Sequence, residues 1–133
     1  MIIIACILAI AACSALALLK GLRPTAGLPY ESVTMEQAIE YMEYEEGYIL
    51  LDVGTGEEYT ACHIAGALSV PYDSLVSQAA AVLPDKDRMI YVYDRDDDRE
   101  DRACRKLSEL GYTNITAIGR MSDWTGDFEG TDV

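Results

Sequence analysis

The sequence predicts a small α/β domain over residues 31–130, with a doubly wound parallel sheet of four to five strands. A chain of 133 residues has room for one domain with a self-sufficient core. Short apolar runs typical of strands alternate with segments of helical spacing, which is the order that βαβ units produce. The strand candidates are continuously apolar rather than alternating, as expected when helices cover both faces of the sheet.

Residues 1–19 contain no charged side chain and consist largely of Ile, Leu and Ala. As a helix with a rise of ~1.5 Å per residue they would reach ~28 Å, close to the thickness of the bilayer hydrocarbon. We therefore expect residues 1–21 to form a single-pass N-terminal membrane anchor. Lys20 and Arg23 on its C-terminal flank favour a cytoplasmic domain under the positive-inside rule.

Two other interpretations of this leader stay open. Residues 10–13 (Ile-Ala-Ala-Cys) resemble a bacterial lipobox, which would make Cys13 the attachment point of a lipoprotein anchor. An ordinary cleaved signal peptide is the second alternative. Both lack the positively charged region that normally precedes the apolar run. A buried helix of a soluble core is disfavoured because the segment has no polar face.

The domain begins after a linker, predicted over residues 22–30 from its prolines and glycine. Thr34 with Gln37 three residues later has the pattern of a capping box, and apolar residues then recur at helical spacing. A first helix is therefore predicted over residues 35–45, ended by Gly47.

Apolar runs and helical spacing also predict the remaining elements. Strands are predicted over residues 48–53, 67–70, 89–93 and 115–118, and helices over 57–61, 74–83 and 99–110, with a last turn over 120–124. Gly111 is expected to end the long helix.

In parallel sheets the ligand site lies beyond the carboxyl ends of the strands. Two distant segments, residues 52–56 and 94–99, follow predicted strands and should meet at that edge. We expect them to face each other across one crevice, with Asp52 as the partner of the second segment.

Charge limits the choice of partners. The chain has 23 acidic and 10 basic residues, a net charge of −13, and every acidic residue follows Pro24. Such a domain should avoid nucleic acid and anionic lipid headgroups and should repel small anions. No cofactor is expected. Of the four cysteines, Cys6 and Cys13 lie in the leader, and Cys62 and Cys104 are too few for a disulfide framework.

The segment after the third predicted strand is the candidate site. A strand that leads through a tight loop into a helix is a common anion site, because loop N–H groups and the helix dipole converge there. In this chain the loop is Asp94-Arg95-Asp96-Asp97-Asp98-Arg99, so it contains four carboxylates and two guanidinium groups.

Several short fragments, weak one by one, occur in a specific order. They are Leu50–Val53 with Glu57–Tyr59, His63–Ala67, Pro84–Asp87 leading into Ile90–Tyr93, Leu110–Asn114, and Gly119 with Trp124. In this order and spacing the chain resembles the rhodanese-like family over about residues 32–128. The resemblance implies the same α/β fold that the apolar pattern predicts.

Sulfur-transferring members of that family carry a cysteine at the end of the third strand, which opens a six-residue loop with arginines. Its thiolate takes sulfur from a donor such as thiosulfate, holds it as a persulfide and passes it to a thiol or cyanide. By this resemblance Asp94 occupies the position of the catalytic cysteine, while Arg95 and Arg99 match the arginines. A second departure is Gly54, where the pattern has an arginine that pairs with the region of Glu57.

These departures predict a domain that is silent in sulfur transfer. A carboxylate cannot form a persulfide, and acidic neighbours repel an anionic donor by ~1 kcal/mol per pair at ~4 Å in water. The resulting hypothesis is a membrane-tethered binding or regulatory module that offers its crevice to an unknown protein partner with basic groups. The loop's own N–H groups could hold Asp94 as a substitute for the anionic sulfur.

Three chemical alternatives remain. A sulfurtransferase could act through Cys62, which precedes His63, whereas Cys104 is expected to be a buried structural thiol. A divalent cation could bind at Asp94, Asp96 and Asp98, although Arg99 stands at the sixth position where a calcium loop has glycine. The run Asp94-Arg95-Asp96 also imitates the aspartate nucleophile of phosphotransferases, but few residues follow it.

Overall fold

The structure, a computed structural model, describes residues 28–95 and 99–133. The predicted anchor, Cys13, most of the linker and residues 96–98 lie outside these ranges. The strands are β1 (Glu31–Ser32), β2 (Ile49–Asp52), β3 (His63–Ile64), β4 (Leu68–Ser69), β5 (Ile90–Asp94), β6 (Ile115–Arg120) and β7 (Phe128–Glu129). The helices are α1 (Met35–Tyr44), α2 (Gly56–Ala61), α3 (Leu75–Val82) and α4 (Arg99–Glu109), with short 3-10 turns at Tyr72–Ser74 and Met121–Asp123.

The main sheet has five parallel strands in the order β1-β6-β5-β2-β4. This confirms the predicted α/β class and parallel sheet. A separate antiparallel pair joins β3 to β7. Strands β1, β3 and β7 were not predicted, because two residues are too few to show a period and each strand exists only through its pairing partner.

Helices cover both faces of the sheet. Leu51 and Val92 pack with α3 and α4 on one face, whereas Leu50 and Tyr91 pack with α1 on the other. Successive residues of a strand point to opposite faces, so a strand covered on both sides must be apolar throughout. All five residues of β5 are buried, as its continuous apolar run predicts.

The ends of two helices follow their local sequence. The capping box at the start of α1 is confirmed: Gln37 N–H donates to Thr34 Oγ1 at 3.2 Å and Thr34 N–H donates to Gln37 Oε1 at 3.1 Å. The helix ends at Tyr44, one residue earlier than predicted, and Gly47, at φ +76°, lies in the turn to β2 instead of capping the helix.

Gly111 ends α4 as predicted. Its φ is +96°, and its N–H donates to Ser108 O at 3.0 Å while Tyr112 N–H donates to Leu107 O at 3.1 Å. This is the Schellman pattern of helix termination, which uses the last carbonyl groups of the helix.

The topology brings the predicted site segments together. Strands β2 and β5 are neighbours, with Asp52 opposite Tyr93, so the residues that follow both strands emerge side by side. The register between β5 and β6 shifts between Val92 and Tyr93, which places Asp94 opposite Arg120. No helix within residues 28–95 and 99–133 is long and apolar enough to cross a membrane.

Candidate functional site at the carboxyl edge of the sheet

Asp94, the last residue of β5, has a buried carboxylate in which each oxygen accepts a hydrogen bond. The residue is 0% exposed, and its Oδ2 accepts a hydrogen bond from Arg99 Nε at 2.8 Å. Its Oδ1 accepts one from the backbone N–H of Arg95 at 2.7 Å. One guanidinium and one N–H of the loop therefore fix this carboxylate, and charge-assisted bonds of this kind are the strong ones.

Arg99, the first residue of α4, pairs with Glu58 as well as with Asp94. Its Nη2 donates to Glu58 Oε2 at 2.7 Å and its Nη1 donates to Glu58 Oε1 at 3.3 Å. The hydrogen bonds from Arg99 hold the pKa of the Glu58 carboxyl below its usual value, and those to Glu58 raise the pKa of Arg99. One guanidinium thus joins α2 to the loop after β5.

Arg95 attaches the start of the same loop to the end of α2. Its Nη2 donates to the carbonyl oxygen of Glu58 at 3.0 Å and to that of Cys62 at 3.3 Å. Cys62 is the C-cap residue of α2, where the helix dipole favours a cation, and the carbonyl oxygen of Glu58 also accepts the N–H of Cys62 at 3.0 Å.

Asp52 belongs to a buried network beneath the loop. Its Oδ2 accepts from Tyr93 Oη at 2.8 Å, and that hydroxyl accepts in turn from the backbone N–H of Ile64 at 3.0 Å. Its Oδ1 accepts from Gly54 N–H at 2.8 Å. Burial raises the pKa of Asp52 and also that of Tyr93. Asp52 therefore stabilises the carboxyl edge of the sheet through buried hydrogen bonds, and its carboxylate is not exposed to solvent.

Gly54 lies where three carboxylates converge. A Cβ at this position would stand 2.6 Å from Glu58 Oε2, 3.0 Å from Asp52 Oδ1 and 3.7 Å from Asp94 Oδ1. A contact of 2.6 Å is not tolerated, so any side chain here would displace Glu58. The absence of a side chain at position 54 is what lets Glu58 reach Arg99.

The structure thus brings Asp52, Asp94, Arg95 and Arg99 to one edge, as their sequence positions suggest. Glu58 is the site residue that the sequence analysis missed, since only the region of Glu57 was considered. Thr55 with Glu58 three residues later forms a second capping box, a pattern that marks the start of α2 but does not indicate the partner Arg99. The three remaining loop aspartates, Asp96, Asp97 and Asp98, lie outside the described residues.

The two cysteines within the described residues differ in environment. Cys104 on α4 is 0% exposed, and burial raises the pKa of its thiol well above the usual range. That environment fits the structural role expected from the sequence. Cys62 is half-buried at the C-terminal end of α2.

His63 is held by its neighbours. Its ring stacks on Tyr59 with centroids 3.7 Å apart, its Nδ1 lies 2.6 Å from Tyr59 O, and its Nε2 lies 3.5 Å from Glu129 of β7. These contacts fit a structural role. Within the ranges that the structure covers, no group of three or more His, Cys, Asp or Glu side chains is arranged to hold a metal ion.

A five-stranded parallel sheet with helices on both faces, and a cluster of charged side chains where β5 ends and α4 begins, define a small α/β domain. The model of the rhodanese-like domain family matches residues 34–127, and the chain belongs to that family. The resemblance stated from the sequence fragments is therefore confirmed.

Its relatives include sulfurtransferases and a sulfur carrier. Thiosulfate sulfurtransferase PspE of Escherichia coli (strain K12) is 32% identical over 73 residues, which is 55% of this chain and 70% of PspE. The adenylyltransferase and sulfurtransferase UBA4 of Candida albicans is 32% identical over 66% of this chain. The putative sulfur carrier protein YrkF of Bacillus subtilis is 30% identical over 73% of it. The chain spans 22% of UBA4 and 52% of YrkF.

Similar solved structures support the same fold. The crystal structure of the Alr3790 protein from Anabaena matches with a TM-score of 0.68 at 28% identity, over 74% of this chain and 80% of that one. A structure described as a rhodanese with anions from E. coli matches with a TM-score of 0.58 at 28% identity, over 62% of this chain and 98% of that one. The domain is thus homologous to sulfurtransferases and sulfur carriers.

Proposed function

We propose that this domain is a rhodanese-like binding or regulatory module that does not transfer sulfur. Asp94 stands at the end of β5, where the sulfur-transferring pattern has its cysteine, and Arg95 and Arg99 keep the places of the loop arginines. The observation that carries the proposal is the buried Asp94 carboxylate, paired with Arg99 at 2.8 Å.

The chemistry explains the inactivity. Transfer from thiosulfate requires a thiolate to attack the outer sulfur, so that an S–S bond forms and sulfite leaves with the electron pair of the broken bond. Asp94 offers oxygen in place of sulfur. Its carboxylate also uses a guanidinium and an N–H that would otherwise be available to an anionic donor. Glu58 also pairs with the guanidinium of Arg99, so less of its positive charge is available to an anionic donor.

The role that remains is recognition. We propose that the domain is tethered by its apolar leader and meets a protein partner with basic groups. The leader is uncharged over residues 1–19, and the net charge of −13 favours cationic partners.

The activity test uses persulfide formation on the full-length chain. After incubation with thiosulfate, intact-mass analysis should show no added sulfur, and a thiosulfate:cyanide assay should show no thiocyanate. Asp94→Cys is the companion variant. Activity in that variant alone supports the proposal, because it shows that the rest of the loop is competent. A persulfide on the wild-type protein would contradict it.

The alternative function is sulfur transfer through Cys62. The observation in its favour is the position of Cys62. Its carbonyl oxygen accepts a hydrogen bond from Arg95, so Cys62, whose side chain is half-buried, lies close to the loop after β5. Wild-type activity that is abolished in Cys62→Ala and retained in Cys104→Ala would establish this alternative.

The tether has its own test. Membranes of expressing cells should retain the wild-type chain through an alkaline wash. Ile10→Arg should release it, because a charge at the centre of a spanning segment costs about 3 kcal/mol. Cys13→Ala should stay bound if the leader spans the membrane, and its release would instead support a lipoprotein anchor.

A further inference from the structure

A cleft lies beside the candidate site, between α1, the end of β6 and the start of α4. It consists of two cavities of about 480 and 230 Å³ that share Thr34, Met35 and Asp123 among their lining residues and therefore adjoin. Cavities of this size accommodate one or two side chains of a partner. One of its lining residues, Glu100, is the sequence neighbour of Arg99 in α4.

The floor of the cleft is apolar. Val33, Met35 and Ile118 are buried there, and Ile39 on the same face of α1 is partly buried. The partly buried Ile39, together with the small exposed part of Met35, offers an apolar contact to aliphatic groups at the base of the cleft.

The rim of the cleft is acidic. Glu36 on α1 and Asp123 in the 3-10 turn after β6 are exposed, and Glu100 on α4 accepts the N–H of Gly119 at its Oε2 at 2.7 Å. Among the residues that the structure describes, none that lines either cavity is a lysine, an arginine or a histidine.

The N-terminus of α1, which lies at the cleft, does not reverse the preference of the acidic rim for cations. A helix N-terminus carries about half a positive charge, which favours anions. At α1, Thr34 Oγ1 already accepts the N–H of Gln37. The two exposed carboxylates, Glu36 and Asp123, carry full charges that outweigh the partial charge that is left, so this part of the cleft attracts cations.

We propose that this cleft docks a lysine- or arginine-bearing segment of a partner protein. Lysine and arginine combine an aliphatic stem with a cationic end. The stem would lie on Met35 and Ile39, and the cation would reach Glu36 and Asp123. The inference rests on the proposed function as a binding module and assigns the basic groups of its partner to one cleft of the domain. The net charge of −13 would also steer a basic segment toward the domain.

The test measures binding of a fluorescein-labelled peptide, Gly-Arg-Leu-Lys-Arg-Gly, to the full-length chain in non-ionic detergent. Fluorescence anisotropy at physiological ionic strength gives Kd. The double variant E36Q/D123N should raise Kd roughly five- to tenfold, as expected for the loss of two partly exposed charge pairs. The matched control E43Q/E46Q removes two exposed charges outside the cleft and should leave Kd within about twofold. Circular dichroism confirms that both variants fold.

Three results would overturn the proposal. Equal losses in the two double variants would reduce the binding to general charge attraction. Undiminished binding of a peptide with citrulline and acetyl-lysine in place of arginine and lysine would show that the cation is not recognised. Absence of peptide binding would overturn it as well, and cleft-dependent binding of spermidine or Ca²⁺ would then assign the cleft to a small cation. The persulfide assay on the same preparation reports separately on the proposed function, so the two failures are distinguishable.

Discussion

Glu58 accepts hydrogen bonds from both Nη atoms of Arg99, at 2.7 and 3.3 Å, although the two residues are 41 positions apart. The pair links α2 to α4, and the same guanidinium donates its Nε–H to Asp94 at 2.8 Å. The segment after β2 and the segment after β5 are therefore joined by one side chain that serves two carboxylates.

The variant Glu58→Gln should lower the free energy of unfolding by about 1–2 kcal/mol, between the values typical of exposed and of buried ion pairs. The amide keeps one acceptor for Arg99 but loses the charge, and the side chains of the pair are only 17% and 30% exposed. Urea unfolding measures the change. Asp101→Asn is the control, because its pair with Arg105 is about half exposed and should contribute less than about 0.5 kcal/mol. Equal effects of the two variants would contradict the prediction.

The variant Gly54→Ala should also destabilise the fold by about 1–2 kcal/mol, the range expected when an extra methyl is forced into a filled site. The new Cβ would stand 2.6 Å from Glu58 Oε2, so Glu58 must leave Arg99. In a Glu58→Ala background the same substitution should cost much less, because the displaced carboxylate is gone.

Gly56→Ala is the control for that double-mutant cycle, since a Cβ there meets nothing within 4 Å. It should be neutral or slightly stabilising, because alanine is the better helix former. Additive effects of Gly54→Ala and Glu58→Ala would show that the two positions do not interact.

The two carboxyls Asp52 and Glu58 should give opposite pH dependences. Burial raises the pKa of Asp52, so the folded state holds this proton more tightly than the unfolded chain. Its contribution to stability is present below about pH 3.9, the unperturbed value, and is lost as pH rises through the raised pKa. The hydrogen bonds from Arg99 lower the pKa of Glu58, so its contribution is present above about pH 4.3 and is lost as pH falls.

Urea unfolding at a series of pH values from about 3.5 to 7 checks both signs. The stability of the wild type relative to Asp52→Asn should decrease as pH rises, and its stability relative to Glu58→Gln should increase. A pH-independent difference for either variant would refute the assignment for that carboxyl.

The two thiols of the domain should differ in reactivity. Cys104 is fully buried with a raised pKa, so its thiolate is scarce and inaccessible, whereas Cys62 is half-buried. Brief iodoacetamide treatment of the native full-length chain should alkylate Cys62 and spare Cys104 until urea is added. Peptide mapping by mass spectrometry separates the two sites. Rapid native labelling of Cys104 would mean that α4 opens easily.

Strands with a continuous apolar run and helix ends with a local capping motif could be predicted from the sequence. The continuous apolar run of β5 required cover on both faces, and the structure supplies it. The pair Thr34 and Gln37 predicts the start of α1, and Gly111 predicts the end of α4. Both predictions are confirmed by the hydrogen bonds at these helix ends. The rhodanese-like family was also recognised from fragment order and is confirmed.

Long-range pairings were not predictable from the sequence. The strand pair β3–β7 joins His63 to Glu129, two residues with no local sign of a strand. The partner of Arg99 could not be deduced either, because Glu57 and Glu58 are adjacent and only the geometry of α2 turns Glu58 toward it.

The sequence by itself determined the class of fold, the family and the carboxylate at the end of β5, since these depend on residue type and local order. Only the tertiary structure decided how that carboxylate is neutralised. Two parallel strands end side by side, and the bare Cα of Gly54 leaves Glu58 room to share Arg99 with Asp94. Ion pairs between residues 41 positions apart depend on where the chain is brought together in space, and no local pattern encodes that.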